Sequence, residues 1–287
     1  MTNSKELFND LVRQINLNED KGEIQSIVYL ILEKELGLTK VNILAGELIN
    51  LPDSSVFNKY LSRINNQEPI QYIIGEELFY GRKFKVNRSV LIPRPETELL
   101  VDKIKSFALQ CKNKTLRILD IGTGSGCIAI SLALEIPDSV VTAVDISEEA
   151  LACAKQNATS LKAPVNFLQL DILNEEIKSQ FDLIVSNPPY ISKEEKSTMR
   201  RNVLDHEPHL ALFAPGNDPL VFYKVIASKS KKALAGGGSL WFELNEHFGE
   251  EVKTILEKLD YKKIQLFKDL DNKNRIAVAH RIDDPVY

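Results

Sequence analysis

The sequence contains little that would mark a secreted, disulfide-bonded or membrane-spanning protein. It has only three cysteines, Cys111, Cys127 and Cys153, and none of them lies in a CxxC pair. Because nothing suggests a disulfide framework, a reducing compartment is the simplest inference. No run of about 18 apolar residues could cross a membrane, and the N-terminal pattern mixes charged with apolar residues, unlike a signal peptide. We therefore expect a cytoplasmic protein with no membrane partner.

The chain also lacks the basic excess of nucleic-acid binders and the ligand clusters of metal sites. Its formal net charge is −4, so no overall positive field attracts nucleic acid. The net charge does not exclude a local basic patch. His206 and His209 have a spacing compatible with one helical face, but Pro208 stands between them and no cysteine or carboxylate set joins them. The sequence predicts neither a metal site nor a direct nucleic-acid partner.

What is present is the composition of a globular protein with two kinds of pattern. Hydrophobic residues make up 44% and charged residues 26% of the 287 residues. Residues 1–75 show helical spacing throughout, including a helix after Pro52, and predict a small all-helical domain. A β-hairpin around Gly81 predicts a linker over residues 76–95, and residues 96–287 are expected to form the second domain.

In the second domain, short apolar runs alternate with helical segments, which favours an α/β fold with a doubly wound, mostly parallel sheet. The last two runs have no helix-length segment between them, so they are expected to form an antiparallel hairpin at the sheet edge. The predicted strands are Leu116–Ile121, Val140–Asp145, Val165–Leu170, Phe181–Ser186, Ser239–Leu244, Lys263–Phe267 and Arg275–Ala279.

A glycine-rich loop, Gly122–Gly126, follows the first of these strands and leads into a helix. Glycines at this point let the backbone approach a ligand closely, and the helix N-terminus offers unpaired N–H donors. Asp145 ends the second strand about 20 residues later, where a carboxylate can accept hydrogen bonds from ribose hydroxyls. The loop and the acid together predict a cofactor that contains a nucleoside.

The spacing within the loop narrows the choice of cofactor. It is G-x-G-x-G and not the G-x-G-x-x-G of a pyrophosphate-binding loop, which favours S-adenosylmethionine (AdoMet). Two alternatives are not excluded by the sequence: an NAD enzyme, and a glycine turn that only allows tight helix packing. Asp171 would lie near the adenine and Ile172 could pack on its face, although an acid after a strand is often a plain helix cap. The predicted cofactor site comprises Asp120, Gly122, Thr123, Gly124, Ser125, Gly126, Asp145, Ile146, Asp171, Ile172 and Asn187.

The fourth strand opens into Asn187-Pro188-Pro189-Tyr190, which we interpret as the catalytic segment. An amide nitrogen is a poor nucleophile because its lone pair is delocalised, and two acceptors that hold both its hydrogens can orient it toward a methyl donor. The Asn187 side-chain oxygen and the Pro188 carbonyl can be these acceptors, and the two prolines fix φ and remove competing N–H donors. Tyr190 can stack on the planar group and exclude water. An ordinary Asn-Pro turn is the alternative.

With these motifs, the sequence closely resembles the protein-(glutamine-N5) methyltransferases of bacterial peptide-chain release factors, the HemK/PrmC family. The resemblance extends over nearly the whole chain. The NPPY tetrad alone is shared with adenine N6 and other amide or amine methyltransferases. The segment Pro93–Glu98, PRPETE, and the helical N-terminal domain are far more restrictive.

The resemblance implies a Rossmann-like, class I AdoMet-dependent domain that methylates the glutamine of the Gly-Gly-Gln motif in release factors 1 and 2. S-adenosyl-L-homocysteine would be the product. The helical domain would help to hold the release factor, and Arg94 and Glu98 would shape the lid of a substrate site that includes Asn187, Pro188 and Tyr190. A linker salt bridge is the other interpretation of Arg94. Asn272 stands where the family has a glycine, and asparagine still tolerates a left-handed backbone.

Other functions stay open at this point. A methyltransferase for a ribosomal-protein glutamine or for a nucleic-acid base amine would use the same tetrad, although the acidic balance of the chain disfavours the base. A catalytically silent AdoMet-binding module is a further alternative, against which the intact tetrad argues. We expect a monomer.

Overall fold

The computed structural model describes residues 1–51, 55–111, 115–192 and 195–282. Pro52, which precedes a predicted helix, and the last five residues of the predicted second domain lie outside the described residues. The chain begins with β1 (Thr2–Asn3), α1 (Ser4–Gln14), α2 (Lys21–Leu36), α3 (Lys40–Ala45), β2 (Leu48–Ile49), α4 (Ser55–Asn65) and α5 (Ile70–Ile74).

The remaining elements largely alternate between strands and helices, although no helix separates the described strands Val165–Gln169 and Phe181–Ser186. They are β3 (Glu76–Phe79), β4 (Arg82–Lys85), α6 (Pro95–Ala108), β5 (Arg117–Ile121), α7 (Cys127–Glu135), β6 (Val140–Asp145), α8 (Glu148–Leu161), β7 (Val165–Gln169), β8 (Phe181–Ser186), a 3₁₀ turn (Glu195–Thr198), α9 (Arg201–His206), α10 (His209–Leu212), α11 (Val221–Ala233), β9 (Leu234–Glu243), α12 (Gly249–Lys258), β10 (Lys262–Lys268) and β11 (Asn274–His280).

The first compact unit consists of Met1–Glu76 together with Arg200–His206, so it includes α9. Its helices bury a hydrophobic core of their own, in which Val28 and Leu32 are fully buried. The side chain of Asp20 accepts a hydrogen bond from the Glu23 N–H at the start of α2, and Gly37 ends that helix in the left-handed conformation. Besides helices, the described residues of this unit form one antiparallel pairing, between the two-residue strands β1 and β2.

The second compact unit, Glu77–Met199 with Glu207–Tyr287, contains a seven-stranded sheet. The strand order is β10-β11-β9-β8-β5-β6-β7, and the five strands from β9 to β7 pair in parallel. β10 and β11 pair antiparallel at one edge, as predicted. Side chains of β5 and β8 alternate between two hydrophobic clusters, so both faces of the sheet are covered. The doubly wound α/β fold is confirmed.

The centre of the sheet fixes where ligands can bind. After β5 the chain adds β6 and β7 on one side and then returns to place β8 on the other. This reversal is a topological switch point, and ligands of open α/β sheets bind there, beyond the carboxyl ends of the strands. All six residues of β8 are buried. Near the amino end of β8, Asp182 joins this strand to the start of β5. Its Oδ2 accepts hydrogen bonds from the backbone N–H of Arg117 at 3.0 Å and from Nε of Arg117 at 3.0 Å.

The turn between the two antiparallel edge strands contains Asn272, which has a φ of 62°. Asparagine is among the few residues that tolerate this left-handed conformation, so the expectation for this position is confirmed. Among the described residues, no helix is both long and apolar enough to cross a membrane.

A buried amide, Asn157 of α8, joins the hairpin β3–β4 to the glycine loop. Its Oδ1 accepts a hydrogen bond from the Lys85 N–H at 2.7 Å, while its Nδ2 donates to the Lys85 carbonyl at 3.0 Å and to the Ser125 carbonyl at 2.9 Å. Asn157 is 1% exposed. One side chain therefore satisfies backbone groups of both the hairpin and the glycine loop.

We expect Asn157→Ala to lower the free energy of unfolding by about 3 kcal/mol, because it removes the hydrogen-bond partner that the Lys85 N–H and the Ser125 carbonyl share in Asn157. Chemical denaturation would measure the change. Gln156→Ala, at the exposed neighbour on the same helix, is the control and should change stability by less than about 0.5 kcal/mol. Equal effects of the two substitutions would contradict the role given to Asn157.

Candidate active site

The predicted cofactor and catalytic residues lie at the carboxyl ends of neighbouring strands. Asp120 is the penultimate residue of β5, Asp145 ends β6, and Asn187 directly follows β8. The parallel register pairs Ile121 with both Val144 and Ser186, and the Ser186 hydroxyl donates to the Ile121 carbonyl at 2.8 Å. The sheet thus brings the ends of β6 and β8 to either side of the glycine loop.

The glycines of the loop have two different physical roles. Gly122, Gly124 and Gly126 all have positive φ, at 74°, 55° and 81°. A Cβ on Gly122 or Gly124 would meet no atom within 4 Å, whereas one on Gly126 would lie 2.9 Å from Cδ1 of Ile130 and 3.1 Å from Cβ of Ala154. Tight helix packing therefore explains Gly126, while the backbone at Gly122 and Gly124 faces open space.

Asp120 is a fully buried carboxylate beneath this loop. Its Oδ2 accepts hydrogen bonds from the Thr123 hydroxyl at 2.6 Å and from the Ala129 N–H at 3.2 Å. Its Oδ1 is buried and has no hydrogen-bond partner among the described residues. Burial raises the pKa of Asp120 to about 7, against the hydrogen bonds that lower it. An unsatisfied acceptor directly beneath a loop whose glycines face open space is an observation that points to a ligand with a donor group.

Asp145 holds the loop from the neighbouring strand. Its Oδ2 accepts from the Gly124 N–H at 2.9 Å and its Oδ1 from the Ser147 N–H at 3.0 Å. A carboxylate has about four lone-pair sites, so Asp145 can still accept hydrogen bonds from hydroxyl groups. The next residue, Ile146, is 42% exposed, which places an apolar surface beside that acceptor. Backbone openness at the glycines, the unsatisfied Asp120 oxygen and this polar–apolar pair together fit AdoMet.

The catalytic segment continues the buried strand β8 without a break. Pro188 is buried, and Asn187, Pro189 and Tyr190 are half-buried. Tyr190 packs against the hydrophobic cluster that includes Tyr223 and Leu244. Burial raises the pKa of Tyr190 to about 12, so its hydroxyl stays protonated near neutral pH.

A buried glutamate lies beside this segment. The register pairs Ser186 of β8 with Phe242 of β9, so the next residues on the two strands are Asn187 and Glu243. Glu243 is 6% exposed, and the nearby side chains of Thr97 and Asn187 lower the pKa of its carboxyl group, which burial raises to about 7.

Known proteins similar to this chain can now be set beside that geometry. The model of the methyltransferase small domain family matches residues 95–217. A release factor glutamine methyltransferase of Flavobacterium psychrophilum is 43% identical over 261 residues, which cover 90% of this chain and 92% of that protein. One of Bacteroides thetaiotaomicron is 43% identical over 263 residues, 90% of this chain and 93% of that protein. The chain belongs to the release factor glutamine methyltransferase family.

A solved structure supports the fold of this family member. The methyltransferase of Pyrococcus furiosus has a TM-score of 0.53 and 18% sequence identity, and the match covers 79% of this chain and 100% of that one. At this identity the likeness shows the Rossmann-like fold alone.

Two other predicted site residues of this methyltransferase are engaged in local contacts. The Asp171 carboxylate accepts from the Leu173 N–H at 2.9 Å and from Asn174 Nδ2 at 2.7 Å, so it caps the turn that follows it. Ile172 is buried in the core, at 8% exposure. These contacts match the cap interpretation of Asp171, and a role toward adenine stays a prediction for both residues.

Arg94 and Glu98 connect the PRPETE segment to other parts of the second unit. Nη2 of Arg94 donates to Oε1 of buried Glu207 at 2.5 Å, and Oε1 of Glu98 accepts from the Tyr80 N–H at 2.7 Å. The contact of Arg94 is the salt bridge of the alternative interpretation, although its side chain is still 35% exposed. The role of both residues toward substrate stays a prediction.

Sequence reasoning missed Glu243, Thr97 and Asn157. The first had a detectable signal, because a single acid ending an otherwise apolar strand predicts a buried carboxylate with a specific partner. Thr97 and Asn157 gave no signal in the sequence, because the residues near them in the fold, Glu243 and Lys85, are 146 and 72 positions away along the chain. Among the described residues, no group of three or more His, Cys, Asp or Glu is arranged to hold a metal ion.

We expect Asp120→Asn to stabilise the folded protein increasingly, relative to the unmodified protein, as pH rises from about 5 to about 8. The folded-state pKa of Asp120 lies above its unfolded value, so the folded protein holds a proton that the unfolded chain releases, and stability falls as pH rises toward that pKa. Asparagine does not titrate. Thermal unfolding of both proteins across this range would measure the difference, and parallel curves would contradict the expectation.

Proposed function

We propose that this chain transfers a methyl group from AdoMet to the side-chain amide nitrogen, N5, of the glutamine in the Gly-Gly-Gln motif of class 1 release factors. The observation that carries the proposal is the placement of the Asn187 amide at the switch point of the sheet, in a member of this family. The relatives from Flavobacterium psychrophilum and Bacteroides thetaiotaomicron carry release factor and glutamine in their names, which supports the choice of substrate.

The residues around the glycine loop are proposed to bind the cofactor. AdoMet, when bound, supplies a methyl group that is already activated as part of a sulfonium. Asp145 would accept hydrogen bonds from the ribose hydroxyls and Ile146 would pack against the nucleoside. The unsatisfied Oδ1 of Asp120 would accept from the ammonium group. The open backbone at Gly122 and Gly124 would allow close approach of the ligand.

The NPPY segment is proposed to orient the glutamine amide. The Asn187 side-chain oxygen and the Pro188 carbonyl would accept its two hydrogens and hold the nitrogen toward the methyl donor. Tyr190 would stack on the amide plane and exclude water. Because the Tyr190 hydroxyl stays protonated near neutral pH, it is a poor base. No strong base is required, since the amide proton becomes acidic once the nitrogen is alkylated.

Some features of the proposal rest on the sequence and on family resemblance. We propose that the helical domain, residues 1–75, helps to hold the release factor, and that residues 76–95 link it to the catalytic domain, residues 96–287. We also propose a cytoplasmic monomer that acts on release factors 1 and 2 without a nucleic-acid partner. Cys111, Cys127 and Cys153 form no disulfide bond, which supports a reducing compartment. Light scattering of the purified protein would test the monomer.

Incubation with methyl-labelled AdoMet and purified release factor tests the proposed substrate. We expect label on the natural release factor and none on a variant whose Gly-Gly-Gln glutamine is replaced. Equal labelling of both would refute the assigned target. Ribosomal protein and RNA, offered under the same conditions, would reveal a glutamine of a ribosomal protein or a base amine as the acceptor.

Asn187→Ala should lower kcat by at least about 100-fold, because it removes an acceptor that orients the reacting nitrogen. The affinity for AdoMet should change by no more than about threefold, measured by calorimetry, since Asp120 and Asp145 are intact. Asn166→Ala, at an exposed asparagine of the edge strand β7, is the matched control. Unchanged turnover of the Asn187 variant would refute its assigned role.

Asp145→Ala should instead weaken AdoMet binding by about tenfold or more, because it removes the proposed ribose acceptor and also frees the Gly124 N–H. Calorimetric titration with AdoMet measures this directly. Glu148→Ala removes an exposed acid three residues away and should bind normally. An unaltered affinity of the Asp145 variant would remove the ribose assignment.

A further inference from the structure

Glu243 is a buried carboxylate that no step proposed above employs. It ends β9 at the carboxyl edge of the sheet, next to Asn187 at the end of β8. Its side chain is almost completely removed from water, yet its Oε2 has no hydrogen-bond partner among the described residues. Burying an acid so incompletely satisfied is unfavourable for folding, so a purely structural role explains it poorly.

The partners of Glu243 determine how the Asn187 amide is oriented. The strand register places Asn187 beside Glu243, and both Thr97 and Asn187 lower the pKa of its carboxyl group. Because an ionised carboxylate only accepts hydrogen bonds, it favours the orientation in which Asn187 turns its NH₂ toward Glu243. The carbonyl oxygen of the same planar group then points away from Glu243. An asparagine without such a partner could present either its oxygen or its nitrogen.

Thr97 approaches the Glu243 carboxyl group from a helix, α6, and not from a neighbouring strand. It lies in the first turn of α6, a helix that Pro95 begins, and it is 3% exposed. Since the PRPETE segment forms this first turn, the segment brings the Thr97 hydroxyl near the carboxyl group that lies beside Asn187. The contact gives this part of the segment a role that is separate from the Arg94 and Glu98 contacts.

We propose that Glu243 is a positioning residue, which holds the Asn187 amide so that its oxygen faces the amide nitrogen to be methylated. The inference rests on the proposed function for its catalytic consequence, but the placement of Glu243 beside Asn187 is a property of the ligand-free protein. Protonated Glu243 could donate to the Asn187 oxygen and turn the amide the wrong way. The ionised form of Glu243 is therefore the competent one.

The charge state of Glu243 is poised near neutral pH. Burial and nearby Glu96 raise its pKa, to about 7, while Thr97, Arg275 and Asn187 lower it. The other titratable groups that face it are Tyr190, Tyr223 and Cys127, whose pKa values burial moves far upward. The orientation of Asn187 should accordingly improve as pH rises through about 7.

NMR of the ligand-free protein tests the contact without any substrate. The side-chain NH₂ signal of Asn187 can be assigned by its absence from Asn187→Ala. We expect this signal to shift with pH, with a midpoint near 7, in the unmodified protein and to lose that titration in Glu243→Gln. A signal that does not titrate in the unmodified protein would overturn the proposal, even if Glu243→Gln failed to fold.

Kinetics with release factor test the catalytic consequence. Glu243→Gln carries an amide that can donate as well as accept, so kcat should fall by about tenfold or more while AdoMet affinity stays within about threefold. Asp182→Asn, a buried acid at the opposite end of β8, is the matched control and should keep its kcat. A kcat of Glu243→Gln within about twofold of the unmodified protein would overturn the proposal. Failure of the unmodified protein to label release factor would refute the proposed function, and the NMR titration would still decide the contact.

Discussion

The parallel pairing of β5 with its two neighbours is the constraint on which the candidate site depends. The pairing aligns Ile121 with Val144 on one side and with Ser186 on the other. Each strand then ends at the same edge of the sheet, although the residues that follow are far apart in the sequence. A slip of one residue in either register would turn Asp145 or Asn187 toward the opposite face. The chemistry therefore depends on an apolar sheet centre that contains none of the reacting groups.

Buried carboxyl groups at this edge place stability and function in opposition. Burial raises the pKa of both Asp120 and Glu243 to about 7, and each has one oxygen without a partner among the described residues. Such groups cost folding free energy when ionised, and a protein retains them where a ligand or a catalytic side chain uses the acceptor. The two acids lie beside different parts of the site, one under the glycine loop and the other beside the amide that would orient the substrate.

Sequence reasoning recovered the parts of the molecule that local chemistry determines. The strands that lead to the site, such as Phe181–Ser186, are continuous apolar runs, and positions like Gly122 and Asn272 require a left-handed backbone. The contacts of Asp171 and Arg94 could not be read this way, because an acid or a base of the same type serves as a cap, an ion pair or a ligand contact. Glu243 was missed because its significance comes from a neighbour on another strand. Pairing between strands, and not any local pattern, places it beside Asn187.

The hydrogen bonds of Asn157 have a consequence for how the catalytic domain can be isolated. One amide joins the hairpin backbone at Lys85 to the glycine-loop backbone at Ser125, and it both donates and accepts. Aspartate has no hydrogen-bond donor and glutamine has a longer side chain, so neither reproduces the hydrogen bonds of Asn157. A fragment that begins at residue 96 would remove Lys85 and leave Asn157 with unused hydrogen-bonding groups under the loop. The smallest autonomous fragment of the second unit therefore has to include the hairpin, and the shape of the glycine loop depends in part on residues that precede residue 96.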